Sequence, residues 1–233
     1  YYTLYFAIAF DRPFTTIATP NTATAAYVTF DTTHNPQVLI KPAISYVSVD
    51  NALLNLRTEN PDWDVSSVRR AAHDAWNAVL LHVEVSGGST SNLKTFYTAL
   101  YHSFLHPNLF NDVNGDYLGF DDVVHQVATG HAHYANIPGW DQYRSLIQLR
   151  AMLAPEQTSD ILQSLVDDAL QGGGGMPRWE QANRNSAGMV GDSPGAYVAN
   201  AYAFGGRDFD TAAALRALDA GARPDQREDQ GLR

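Results

Sequence analysis

Apolar and polar positions follow two regimes along this chain. Over roughly the first 50 residues they alternate, as in Ala26-Tyr27-Val28-Thr29-Phe30, Gln37-Val38-Leu39-Ile40-Lys41 and Ile44-Ser45-Tyr46-Val47-Ser48-Val49. A period of two is the mark of half-buried strands. The opening run, Tyr1 to Phe10, is rich in aromatic residues and reads as a strand as well, with Pro13, Pro20, Pro36 and Pro42 as punctuation. Closely spaced strands of this kind predict an antiparallel sheet, one layer of a sandwich. The opening has no charged leader and no small-residue cleavage site after an apolar stretch, so it does not read as a signal peptide. A chain that starts inside a strand is expected to be part of something longer.

From about residue 51 the period lengthens to that of a helix. Asp64 is predicted to cap a helix whose apolar stripe is Val68, Ala71, Ala72, Ala75, Trp76 and Val79. His82-Val83-Glu84-Val85 reads as a short strand running into Gly87-Gly88. Helices are predicted over 91–105, 140–153, 156–170, 194–205 and 210–219, separated by polar loops at 106–139 and 172–193. Loops of that length within a compact helical domain are usually functional. Chemistry is therefore expected in those two.

Composition narrows the classes. The chain has no cysteine, which removes disulfides, thiolate catalysis and Cys-ligated metals. Its net charge is −10, with no Lys/Arg-rich run, so a nucleic-acid partner is not expected. No apolar run approaches the ~18 residues of a membrane span. Of the 25 acidic residues 20 are Asp, a residue of turns, caps and oxygen-rich sites rather than helix interiors.

Within the first loop, Asp112-Val113-Asn114-Gly115-Asp116 has some calcium-loop spacing. Glycine is misplaced, however, and Val123 stands where an EF-hand needs Glu, so an Asx-capped turn is the better reading. His131 and His133 flank Ala132, but nothing fixes a third ligand, and hydrogen-bonding histidines are expected there. Trp140-Asp141 opens a helix after Pro138-Gly139. An indole face can stack on the C–H groups of a sugar while a carboxylate takes two hydroxyls. The same pair also fits a helix-stabilising Asp beside a core Trp. The second loop has four glycines without the Lys-Ser/Thr of a phosphate loop. It continues into Trp179-Glu180, amides and Asp192, a glycine-framed polar and aromatic stretch that suits a carbohydrate subsite. No Gly-x-Ser-x-Gly elbow supports a nucleophilic serine.

Longer strings carry a resemblance. Val47-Ser48-Val49-Asp50-Asn51-Ala52, Glu59-Asn60-Pro61, Thr95-Phe96-Tyr97-Thr98-Ala99-Leu100-Tyr101-His102 and Asn108-Leu109-Phe110-Asn111-Asp112-Val113-Asn114-Gly115 occur in order. Tyr134-Ala135-Asn136-Ile137-Pro138-Gly139-Trp140-Asp141-Gln142-Tyr143-Arg144, Met176-Pro177-Arg178-Trp179 and Met189-Val190-Gly191-Asp192 follow them. Together they resemble family 92 of the glycoside hydrolases, exo-acting α-mannosidases. The resemblance implies an α+β multidomain fold: an antiparallel β-sandwich portion followed by part of an (α/α)6 helical barrel. On that basis residues 1–50 are expected to end the sandwich, 51–88 to form a linker helix and short strand, and 89–233 to form an incomplete barrel. The apolar stripes at 91–105 and 140–153 would then face absent partners.

The function it implies is calcium-assisted inverting hydrolysis of terminal α-mannosyl linkages by a secreted or cell-envelope protein, acting on a mannose-containing glycan or a mannosyl phosphodiester. Substrate contact would fall on Trp140, Asp141, Arg144, Trp179, Arg184 and Asp192. Where the family carries a Glu as general acid, six residues after the position of Trp179, this chain has Asn185. An amide cannot donate a proton as an acid does. Glu180 is the nearest substitute, and a phosphate leaving group would need no such proton. The calcium segment and the base motif of the family are expected beyond the position of Arg233, which leaves no metal ligands in this chain. A mannose-binding relative with impaired chemistry is the alternative.

Overall fold

The computed structural model describes residues 2–20, 24–186 and 188–223. Its N-terminal part is a two-stranded antiparallel sheet, β1 (Tyr5–Phe10) with β4 (Ile40–Ser45), in register Tyr5↔Ser45 to Phe10↔Ile40. A smaller hairpin, β2 (Thr16–Ala18) with β3 (Tyr27–Thr29), interrupts it in sequence. Helix α1 (Val49–Glu59) lies on one face of the larger sheet and buries Ala52 and Leu56 against Ala7, with Ala9, Ala43 and Leu53 around them. The alternate residues of that sheet, Phe6, Ile8, Ile40 and Ile44, are exposed on its other face. One covered face and one bare apolar face are what a single sheet layer presents.

Two sequence expectations give way here. The alternation over 44–49 does not become a strand; β4 runs through Pro42 and stops at Ser45. The Ser45 hydroxyl accepts from the amides of Val47 (2.9 Å) and Ser48 (3.3 Å), and the Ser48 hydroxyl accepts from Asn51 N–H (3.0 Å). Side-chain bonds of this kind compete with the sheet ladder and start a helix instead. Pro42 is tolerated because, among the described residues, β4 pairs on one side alone.

Helix α1 is fastened at both ends. Lys41 of β4 donates to the carbonyls of Asn60 (2.8 Å) and Pro61 (3.1 Å) just past its C-terminus, and its ammonium lies 4.2 Å from the Trp63 ring centroid. Toward its N-terminus the anchor is the buried carboxylate of Asp112. That group accepts from Ser45 Oγ (2.6 Å), Asn51 Nδ2 (2.8 Å) and Asn55 Nδ2 (2.7 Å). Asn55 Oδ1 returns a bond by accepting from Val113 N–H (3.0 Å). The predicted Asx-capped turn is present: Gly115 N–H donates to Asp112 O at 2.9 Å with Gly115 at φ +90°, and Asn114 Oδ1 accepts from Asp116 N–H at 3.1 Å.

Helix α2 (Val65–Leu80) starts at Asp64, whose carboxylate accepts from Ser66 N–H (2.8 Å) as the capping pattern predicts. Its apolar stripe meets α3 (Thr90–Ser103), with Trp76 and Tyr101 rings 4.4 Å apart, and no residue of α2 is buried. The short strand expected at 82–85 is not one. The Tyr97 hydroxyl donates to Val83 O (3.2 Å) and accepts from Val85 N–H (3.4 Å), which occupies the backbone groups a strand partner would need.

The rest is a helical layer with short hairpins set into its loops. The loop at 106–139 folds into β5 (Asn108–Leu109) with β8 (Tyr134–Ala135), enclosing β6 (Asp116–Leu118) with β7 (Val124–Gln126). The helix predicted over 140–153 is broken into α4 (Gly139–Gln142) and α5 (Leu146–Leu153), where Ser145 leaves helical geometry at φ −156°. Its stripe is not left bare either, since Ile147, Arg150 and Ala151 are buried. Helix α6 (Pro155–Gln171) runs through the middle of the largest core, made of Ile161, Leu162, Leu165, Val166 and Ala169 with Ile147, Tyr197 and Val198. The hairpin β9 (Glu180–Gln181) with β10 (Arg184–Asn185) precedes α7 (Ser193–Phe204) and α8 (Thr211–Gly221).

Asp112→Ala should therefore unfold much of the joint between sheet and helices. Three donors lose a charged acceptor, each such bond being worth about 1.5–3 kcal/mol, so urea unfolding should register a loss of about 3 kcal/mol or more. A loss near zero would show that the joint is held elsewhere.

Candidate active site

A cleft of about 510 Å³ opens between the N-terminal part and the helical layer. Tyr2 and Tyr46 form one side, with rings 5.5 Å apart. His106, Asn136 and Pro138 come from the loop segments flanking the β5–β8 pair, and Asp141 comes from the first turn of α4. Trp179, Gln181 and Ala182 come from the β9–β10 hairpin and its approach.

Each wall has a local cause. Helix α4 can sit where it does because Gly139 has no side chain: a Cβ there would lie 2.9 Å from Ser193 Oγ of α7. No side chain caps α4, and the exposed Asp141 carboxylate takes no hydrogen bond from any described residue. It is therefore not consumed in capping. Asn136, at φ +61°, donates to Asn108 Oδ1 (2.9 Å) and accepts from Ala182 N–H (3.2 Å), joining the hairpin tip to the β5–β8 pair. His106 is held through its carbonyl, which accepts from Gln142 Nε2 (3.4 Å) and from buried Arg150.

Of the residues singled out in the sequence, the cleft brings together Asp141 and Trp179. Trp140 is half-buried with the Arg144 guanidinium stacked on its ring at 4.2 Å, so one indole face is already covered. Arg184 turns to Asp122 (2.5 Å) and donates to Phe120 O (3.4 Å) and Asn183 O (3.2 Å). Asp192 precedes α7 beside Arg178 and Gly191, lining a separate small recess. Asn185 pairs across the hairpin with Glu180, and its Oδ1 accepts from Trp179 N–H at 3.4 Å. Glu180 is fully buried, between the two cleft residues Trp179 and Gln181.

The two loop histidines diverge. His131 Nδ1 lies 2.7 Å from Asp160, with its side chain 50% exposed, and the Asp160 carboxylate raises its pKa. His133 is 2% exposed, stacked on Tyr117 at 3.8 Å, with Nε2 3.4 Å from Asp168. Burial pushes the Tyr117 hydroxyl up to about 12. Among the described residues no group of three or more His, Asp or Glu side chains could hold a metal ion. No helix among them is long and apolar enough to cross a membrane.

Tyr46, His106, Asn136 and Gln181 escaped the sequence reading. Tyr46 was hidden inside an apparent strand pattern. Asn136 and His106 lie within or beside the recognisable strings, yet only folding shows which of their residues face one another.

An aromatic ring and an unspent carboxylate facing one polar cleft can hold a sugar ring. The profile of the "Glycosyl hydrolase family 92 catalytic domain" matches residues 51–233, and the chain belongs to that family. Among solved structures it is similar to the GH92 α-mannosidase BT3965 from Bacteroides thetaiotaomicron, at 25% identity and TM-score 0.83, covering 93% of this chain and 32% of that one. It is also similar to the GH92 inverting mannosidase BT2199 from the same organism, at 26% identity and TM-score 0.84, covering 98% and 33%. The chain thus spans about a third of the length of these relatives. Among curated proteins none matches it. The helix-rich architecture with small antiparallel sheets agrees with part of the family's fold.

Nuclear magnetic resonance titration should find the His131 midpoint above the ordinary histidine value near 6.5, with Asp160→Asn bringing it back down. An unchanged midpoint in that variant would remove Asp160 as the cause.

Proposed function

We propose that the protein is a glycosidase of the exo-acting, inverting α-mannosidase type, and that the cleft is where it takes the terminal mannose. The observation that carries this reading is the meeting of Asp141 and Trp179 in one cleft although they lie far apart in sequence. The Asp141 carboxylate takes two sugar hydroxyls, Trp179 offers an apolar face, and Gln181, Asn136 and His106 supply further polar contacts. Trp140 and Arg144, stacked together behind Asp141, shape that end of the site. Arg178 donates to Met189 O (3.1 Å) and so ties down the segment that follows the hairpin, where Asp192 lines the same recess.

Inverting hydrolysis needs an acid at the leaving oxygen and a base on water. Asn185 takes the acid position of the family motif. Glu180 is buried away from solvent, which speaks against direct proton donation from it. A substrate whose leaving group departs without a proton fits best, and a mannosyl phosphodiester is such a substrate. Our reading gives no described residue the role of the base or of a calcium ligand. The family's habit supports a location outside the cell or in its envelope. Asn185 also favours a second reading, a mannose-binding relative that keeps the cleft and has lost the chemistry.

Release of mannose from an aryl α-mannoside, α-1,2-mannobiose and a mannosyl phosphodiester by the complete protein separates the two. Release from any supports the enzyme; binding of mannose without release from all three supports the binder. Asp141→Ala should weaken mannose binding about ten- to a hundredfold, read by calorimetry, from the loss of a charge-assisted bond. Unchanged affinity with folding intact would return Asp141 to a role in the helix alone.

Asn185→Glu should raise the rate on α-1,2-mannobiose, by up to about 10²–10⁴-fold if proton donation is what limits it. On the phosphodiester the rate should hold or fall, because a new carboxylate repels the phosphate. A wild type that already cleaves mannobiose well, unimproved by Glu, would show that Asn185 is not the limiting position.

A further inference from the structure

Asp168 of α6 and Glu180 of β9 are 2% and 0% exposed, and their carboxyls lie within hydrogen-bonding reach of each other in the interior. Neither Glu180 oxygen, nor Asp168 Oδ2, has a well-formed hydrogen bond from a donor among the described residues; only the backbone amide of Asn136 is directed toward Glu180. The remaining Asp168 oxygen has His133 Nε2 at 3.4 Å. Two ionised carboxylates in such a place would repel across a low dielectric with almost no donors to compensate. One proton between them removes the repulsion and supplies a donor. Glu180 also occupies a particular place in the chain, since the residues on either side of it, Trp179 and Gln181, both line the cleft.

We propose that Asp168 and Glu180 share one proton, and that this protonated pair is the latch that seats the β9–β10 hairpin and thereby positions Trp179 and Gln181. Glu180 is on this account a positioning residue, acting through its neighbours rather than on the sugar. The latch itself is a property of the fold; only what it positions rests on reading the cleft as a mannose site.

The charges around the pair agree. Burial pushes Glu180 well above the ordinary glutamate value, with the Asp168 charge adding to it, and burial raises Asp168 to about 6. His133, from the segment leading into β8, faces Asp168 and opposes that rise, while Asp167 on the same helix adds to it and is itself raised by burial. Tyr197 of α7 faces Glu180, with Arg150 of α5 behind it, and the backbone amide of Asn136 faces Glu180 from the cleft side. A carboxyl whose folded pKa lies above its unfolded value binds more protons in the native state. The stability it contributes is present in acid and is lost as pH rises through the folded value.

Thermal unfolding of the full chain tests this without any ligand. The wild-type melting temperature should fall as pH rises from the ordinary carboxyl range near 4 through about 6 and beyond, since Asp168 is raised to about 6 and Glu180 well above its ordinary value. Glu180→Gln, which cannot ionise and still offers a donor to Asp168, should flatten that fall, so that the variant gains on wild type at the alkaline end and not in acid. Asp168→Asn should flatten it too, and it decides the matter if Glu180→Gln packs poorly. Tryptophan emission of the wild type should shift with the same midpoint, a shift lost in Trp179→Phe and in Glu180→Gln. Equal pH dependence in wild type and both variants overturns the latch, and an emission that ignores pH overturns the positioning. Failure of the wild type to bind α-D-mannose would overturn the sugar reading and leave the melting result standing.

Discussion

The architecture depends on one buried carboxylate. Asp112 sits where β4, α1 and the β5–β8 region converge, and it is satisfied by three side-chain donors from the first two of these. A buried charge without such partners would be strongly destabilising. The three donors are Ser45, Asn51 and Asn55, so the end of the strand and the start of the helix are set by the same group that ties them to the helical layer. Because Tyr46 follows Ser45 directly and packs on Phe110 at 4.5 Å, the aromatic wall of the cleft inherits its position from that joint.

Around the cleft, charged groups are divided between structure and chemistry. Arg150 and Arg184 are engaged with carbonyls or carboxylates, and Lys41 is engaged with the chain past α1. Asp141 faces the cleft with no side-chain hydrogen bond among the described residues. Isolated exposed carboxylates are common, and this one differs by its setting among Trp179, Gln181 and His106. Family membership gives that setting its meaning, and the share of the relatives' length that this chain spans sets how far the meaning extends.

Much of this was legible in the residues. The helices at 65–80, 90–103, 155–171, 193–204 and 211–221 follow the apolar spacing within a few positions. Asp64 caps where its side chain predicts. Legibility failed where a local hydrogen bond outweighed pattern: the serines at 45 and 48 turned an alternating run into a helix start, and Tyr97 took the backbone of 83–85. It failed too at the Asp168–Glu180 pair. A single acid in a helix and another after a tryptophan carry no sign, in sequence, that they will face each other in the interior. Asp141 and Trp179 could be picked as sugar-binding types, but their meeting is a tertiary fact.

The way His106 is held has a consequence for recognition. Its carbonyl is gripped by Gln142 and Arg150, and Gln142 in turn accepts from the buried Tyr197 hydroxyl at 3.2 Å. Asn136 is likewise bonded on both sides, to Asn108 and to Ala182. These walls are ordered before anything enters. A guest would meet a mould already set, and little of its binding energy would go into arranging the host. Discrimination in such a cleft comes from fit: a sugar epimer with one hydroxyl turned the wrong way leaves a polar group unpaired, and the walls have little freedom to follow it.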